Sequence, residues 1–450
     1  MGPFGRTEWR RDLLSAVAVL CLLSSCRNDV KPDGGGLSPE AAPEQARPAK
    51  PAVLSASVSP SVPTAPSLSE QYLRASDGAP FDHLGFSVAA YDDVVFAGAR
   101  FADAPGEDSG AVYVFRRGAR GWYEEAKLIP SDPVQHDRFG HAVGMDGDTL
   151  VVGAHAHHEL GRKVGSVYVF RFQRGAWRQE AKLTAPEAAR FGHAVAISDD
   201  YLAVGAPGGL VEGAAAGAVY VFRRQGSSWR RETRLTAGDA REGHLFGLAV
   251  GISGDAVAVG APGDDARGSL TGAAYVFRND GRHWRQDAKL LAGDAAALAE
   301  FGKALAIDGD TVVVGAEGGG DAGKFSGAAY VFQRHAGTWR QQARLLASDA
   351  RAADRFGNAV AVHLDKIAVG AHFADPAGLG SGAAYLFRRL GDQWRQEFKL
   401  VPKGGAAGEE FGNAVAVHGG TIAVGALRGG PQSTAAGSVW VFERAASPGG

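Results

Sequence analysis

The chain has 450 residues, 47 Lys and Arg against 49 Asp and Glu, a formal net charge of -2, and 64 glycines. With that balance and no Lys/Arg cluster on any one segment, the electrostatic footprint of a nucleic-acid binder is missing. Both cysteines, Cys21 and Cys26, lie close to the N-terminus, so the rest of the chain carries neither thiol chemistry nor disulfides.

In chain order, the first feature is Arg6, Arg10 and Arg11 followed by the apolar run Leu13 to Leu23, the arrangement of an export signal. That run is too short to span a bilayer as a helix, so no transmembrane anchor is expected from it. Its end, Leu23-Ser24-Ser25-Cys26, resembles the bacterial lipobox, which implies cleavage before Cys26 and lipidation of that cysteine. The alternative is an ordinary cleaved signal that happens to contain a cysteine. Arg27 follows rather than an acidic residue, which by resemblance to enteric lipoproteins points to the outer membrane and cell surface. Residues 27–67 hold eight prolines and few large apolar residues, and cannot bury enough surface to order themselves. A tether of that kind holds the next domain on the order of 35 Å from its anchor as a coil. The expected domains are a signal peptide (1–25), a disordered tether (26–67), a repeat domain (68–444) and a disordered tail (445–450).

The repeat is the dominant signal. Phe-Gly recurs at Phe139, Phe191, Phe246, Phe301, Phe356 and Phe411, with Leu84-Gly85 standing in once, at spacings of 55, 52, 55, 55, 55 and 55 residues. Each unit holds four apolar runs of strand length, as in FGKALAI, TVVVGA, GAAYVF and WRQQARL between Phe301 and Leu345. Four short β-runs per unit at a fixed period read as a propeller blade. Second and third runs are apolar at consecutive positions, which suits strands covered on both faces. In the fourth, Trp339, Gln341, Ala343 and Leu345 alternate with Arg340, Gln342 and Arg344, as in a half-solvated outer strand whose charges blunt a free edge. Ser69 to Ala75 matches a fourth run with no blade before it, and the last repeat stops at Glu443-Arg444-Ala445 without one. The two ends complement each other. The expected fold is therefore all-β: a seven-bladed β-propeller of four-stranded antiparallel blades, its N-terminal strand closing the last blade.

The combination FGxAVAI followed by VVVGAP, strongest at Phe191 to Pro207 and Phe246 to Pro262, resembles the FG-GAP repeat of the integrin α-subunit propeller and of many bacterial surface proteins. That resemblance implies the same fold. Integrin-like repeats often carry a calcium loop between the first two strands. Here that connection is a hairpin turn such as Asp146-Gly147-Asp148 or Asp308-Gly309-Asp310, whose one or two carboxylates fall short of calcium's six to eight oxygens, so no calcium and no other cofactor is expected. Acidic pairs at Asp77/Asp82, Asp132/Asp137 and Asp349/Asp354 fall in the blade crossovers and read as turn caps.

From the Gly of Gly-Ala to the Gly opening the third strand the interval is 12 residues in every repeat, from 98 to 110 through 425 to 437, yet the sequences inside it differ widely. Varied side chains on a fixed frame make these second-to-third loops the expected ligand surface. Candidate contacts are His155, His157, His158, Asp264, Asp265 and Asp375. The second repeat is rich in histidine: His155, His157 and His158 in the loop, and His141 and His193 after Phe-Gly of two adjacent repeats. Convergence on zinc or copper is one reading. Scattered, solvent-exposed loop histidines is the other, and it is favoured by the variety of the post-Phe-Gly position: Phe86, His141, His193, Leu248, Lys303, Asn358, Asn413. No metal site is therefore expected. The sequence contains no GxSxG, HExxH or P-loop. The functional expectation is a monomeric, membrane-anchored, non-catalytic binding or adhesion protein with a protein ligand. A glycan-binding propeller is the alternative, weakened because only Phe101, Phe325 and Phe373 offer rings in those loops, and a hydrolase using loop carboxylates is the second.

Overall fold

The computed structural model describes residues 67–159, 162–294, 296–429 and 435–444. The export signal, Cys26, nearly all of the tether and the 445–450 tail lie outside the described residues.

Seven four-stranded antiparallel sheets follow one another along the chain, and no described residue is helical. Blade 1 consists of Leu84–Tyr91, Val94–Ala99, Ala111–Gly118 and Gly121–Leu128, each strand paired to the next. Blade 5 repeats it with Ala304–Asp308, Thr311–Ala316, Ala328–His335 and Thr338–Leu345. First strands of neighbouring blades touch around a complete circuit, including blade 7 to blade 1, so they form the innermost layer.

Closure comes from the N-terminal strand. Leu68–Leu73 pairs antiparallel with Ser438–Arg444, the third strand of blade 7, setting Leu73 against Val439 and Leu68 against Arg444. Leu73 is buried and packs with Val439 and Val441 of blade 7 and Val95, Ala97 and Tyr113 of blade 1. Tyr72 lies 4.9 Å from Trp440, ring to ring.

The core is a set of sandwiches between blades. In blade 5, Val312 and Val314 face Ala258 and Val276 of blade 4, while Val313 and Val331 face Val369 and Phe387 of blade 6. Consecutive apolar positions therefore serve two different interfaces, which is why these strands do not alternate. The motif glycines mark the closest approach of blades. A Cβ on Gly98 would overlap the carbonyl oxygen of Gly140, the Phe-Gly glycine of the next blade, and the same contact joins Gly425 to Gly85 across the closure. The Phe is equally fixed: Phe301 is fully buried, edge-on to Tyr330 at 5.5 Å and Phe332 at 5.9 Å.

One expectation needs correction. The fourth strands do not alternate throughout, because a bulge recurs in blades 1 to 6, as between Val331 and Phe332 opposite Ala343 and Gln341. It leaves Gln341 exposed and turns Gln342 partly inward, where its side chain accepts a hydrogen bond from Trp394 Nε1 at 3.1 Å. Two of the second-to-third loops are also small hairpins: His158–Glu159 pairs with Arg162–Lys163, and Leu210–Val211 with Ala214–Ala215.

Candidate functional site at the loop face

The second-to-third loop of each blade hydrogen-bonds to the crossover leading to the next, as in His136 N to Glu107 O (2.9 Å) and Ala353 N to Lys324 O (3.0 Å). Both sets of connections thus share one face. The hairpin turns lie at the other, where their carboxylates are taken by third-strand arginines: Asp148 by Arg171 at 2.8 Å, Asp255 by Arg278 at 2.7 Å, Asp365 by Arg388 at 2.9 Å.

Several residues read as ligand contacts are instead structural. His157 is buried, with Nδ1 2.6 Å from Asp137 and Nε2 3.0 Å from Lys182 Nζ. Asp264 is fully buried and accepts hydrogen bonds from Tyr275 (2.9 Å), Lys289 (2.8 Å) and the Ala266 amide (3.0 Å). Burial works against its charge, yet Lys289 and those hydrogen bonds outweigh it and hold its pKa below the usual range. His158 and Asp375 are exposed, the latter accepting from the Gly380 amide at 2.6 Å. Asp265 is half-exposed beside Arg241 and His244. The crossover pairs divide in the same way. Asp82, Asp137 and Asp354 cap turns at Ala79, Val134 and Arg351. Asp77, Asp132 and Asp349, also read as turn caps, instead accept from the buried tyrosines Tyr113, Tyr168 and Tyr385 and from Lys127, Lys182 and Lys399.

At the loop end of the innermost strands the residues after Phe-Gly occupy equivalent places around a ring and touch one another from blade 6 through blade 7 to blade 3. Asn358 donates to the Asn413 carbonyl at 3.1 Å, Asn413 to that of Phe86 at 3.1 Å, and the rings of Phe86, His141 and His193 follow at 5.0 and 4.7 Å. The residue after Gly-Ala sits beside this ring. Arg100 lies 3.6 Å over Phe86, His155 is 3.9 Å from His141, and Lys303 donates to Glu317 at 2.5 Å. A third layer comes from the residue before Phe-Gly: His83, Arg138, Arg190, Leu245, Glu300, Arg355 and Glu410, all with φ between 52 and 60°. Non-glycine residues seldom adopt that conformation, and here it recurs in all seven blades around the mouth.

His141, His155 and His193 each bring a ring nitrogen within 4.8 Å of the other two. The expectation of scattered, exposed histidines fails for these three. Their Nδ1 atoms are buried and have no hydrogen-bond partner among the described residues. Burial lowers all three pKa values, neighbouring imidazoles add to it for His141 and His155, and nearby arginines, Arg100 among them in each case, lower them further, His155 to about 2 and His193 to about 4. They are neutral at pH 7.

A family model for the FG-GAP repeat matches residues 68–115, 122–170, 177–222, 229–277, 284–332, 339–387 and 394–442. The chain belongs to the FG-GAP repeat family. Each match begins on a fourth strand and ends on the third strand of the following blade, so the family unit is offset from the blade by one strand. No curated protein sequence matches this FG-GAP chain. Among solved structures it is similar to Sqt1 of Saccharomyces cerevisiae, at 12% identity and a TM-score of 0.43, over 83% of this chain and 97% of that one.

Proposed function

We propose that this FG-GAP propeller is an exported binding protein, anchored through a lipidated Cys26 to a bacterial outer membrane, that engages a protein ligand with its loop face and has no catalytic role of its own. The observation that carries this reading is the contrast between faces: seven loops of one spacing and varied sequence on one side, and on the other short turns, those of blades 2, 4 and 6 closed by an Asp-Arg pair. A glycan ligand is less well supported, because the loop phenylalanines already hold cations. Arg355 lies 5.5 Å from Phe325 and 5.3 Å from Phe373, and Phe101 is covered by Arg100 and Arg138 at 4.5 and 5.3 Å. Rings stacked on guanidinium are less free to stack on sugars, and arginine-aromatic surfaces favour protein contacts. Among the described residues, no arrangement of loop carboxylates singles out a hydrolase.

The test is photo-crosslinking on cells that display the protein. Probes at His158, Asp265 and Asp375 are expected to give adducts, while probes at the turn residues Gly147 and Gly309 give none. Adducts from the turns alone would reverse the assignment. Fatty-acid labelling that is equal in wild type and Cys26→Ala would remove the anchor.

A further inference from the structure

We propose that His141, His155 and His193 bind one divalent transition-metal ion of the zinc class at the mouth of the propeller, a site independent of the protein-ligand reading. Three observations carry it. The first is convergence from two directions: His141 and His193 follow Phe-Gly in adjacent blades, and His155 reaches the same point from the second strand of blade 2. A tetrahedral ion with nitrogens at about 2.0 to 2.1 Å sets them about 3.3 Å apart, which modest ring rotation from a spread within 4.8 Å achieves.

The second is that all three Nδ1 atoms are buried without a partner, an arrangement that costs free energy unless something occupies them. His157, one loop turn away, is by contrast paired on both nitrogens, to Asp137 and Lys182. The third is preorganisation. The His141 and His193 amides each donate to the carbonyl of the residue before Phe-Gly, Arg138 and Arg190, at 3.1 Å, which fixes two of the three backbones.

An all-imidazole set suits zinc, copper or nickel and not the oxygen-seeking calcium or magnesium. Three protein ligands leave a fourth position open. Arg100, Arg138 and Arg190 stand near the imidazoles, so an anion in that position would offset the crowding of positive charge.

The experiment uses the full chain with Cys21→Ser and Cys26→Ser, so that no thiol competes. Titration with Zn²⁺ by calorimetry is expected to show one site, and Co²⁺ to give the intense visible bands of a tetrahedral centre. His155→Ala and His193→Ala should each weaken Zn²⁺ binding at least about 100-fold, more than the loss of an outer partner would. They should also abolish the rise in melting temperature that Zn²⁺ gives the parent. His158→Ala, an exposed neighbour, keeps both, and His155→Gln, close in size, guards against a folding defect. Affinity unchanged in the His155 variants, no saturable Zn²⁺ binding by the parent, or only the weak spectrum of hydrated Co²⁺ would overturn the site.

Discussion

The same three ring positions carry opposite chemistry in blade 5 and in blades 2 and 3. In blade 5, Lys303 donates to Glu300 at 2.8 Å and to Glu317 at 2.5 Å, and Glu317 also receives Arg355 at 2.6 Å. Burial alone would raise the pKa of Glu317, but Lys303 and Arg355 outweigh it and hold the carboxylate below its usual range. That arc is satisfied from within. Across the mouth, His141 and His193 stand where Lys303 stands and His155 where Glu317 does, with imidazole nitrogens that nothing in the described chain satisfies. One frame thus makes a closed ion network in one place and a set of free donor atoms in another, and the difference lies in side chains alone.

Both arcs depend on the ring being closed, and the largest expected effect falls there. Leu73→Ala should cost about 2 to 5 kcal/mol, since the side chain is buried between blades 7 and 1, whereas deleting residues 27–67 should leave the thermal melt unchanged. Equal melts for the two would remove the closing strand from the account. Next comes the satisfied arc: Glu317→Ala leaves Arg355 without its carboxylate and Lys303 with Glu300 alone, and should lower stability by about 3 kcal/mol in chemical denaturation. A loss below about 0.5 kcal/mol would mean that the network is ornamental.

Acid sharpens the contrast. His83, at the position of Glu300 in blade 1, has its pKa lowered to about 4 by burial and by Arg100 and Arg428. Between its unfolded pKa, about 6.5, and that value the unfolded chain binds the proton and the folded one does not, so stability falls as pH drops through this window. About 2 kcal/mol should be lost by pH 4 and recovered in His83→Phe. The Glu317 contribution has the depressed-carboxylate sign: it is present above pH 4.5 and is lost only as pH falls below that value. A wild type no more sensitive to pH 5 than His83→Phe would contradict this ordering. Smallest of all, His158→Ala and Asp375→Ala should each change stability by no more than about 0.5 kcal/mol while weakening ligand capture at the loop face.

The blades, their order and the closing strand were legible because a repeat states its pattern seven times and one strand too many at the start matches one too few at the end. The mouth was less so. His141 and His155 are 14 residues apart in sequence and became neighbours through the register of the first hairpin, in which Ala142 pairs with Gly153. His193 reached them from the next blade. Reading the post-Phe-Gly and post-Gly-Ala positions as one set rather than as separate columns would have exposed the pairs His141-His155 and Lys303-Glu317. His157 and Asp264 were misread as free loop residues because a polar residue in a loop looks exposed until its partner is known. Those partners, Asp137 for His157 and Tyr275 and Lys289 for Asp264, lie 20, 11 and 25 residues away on other elements. The recurring bulge has no marker in the alternating pattern of the fourth run.

Leu68 faces Arg444 in register, and that pairing has a topological consequence. The ring is held shut at one place by hydrogen bonds and side chains rather than by a continuous peptide, and the two ends meet there. A short peptide joining them would turn that non-covalent latch into a covalent bond and let the chain be cut open instead at any of the turns on the far side. Such circular permutants would carry all seven blades unchanged, with the latch moved to a different pair of strands. Comparing how fast each one opens would rank the blade edges by mechanical strength.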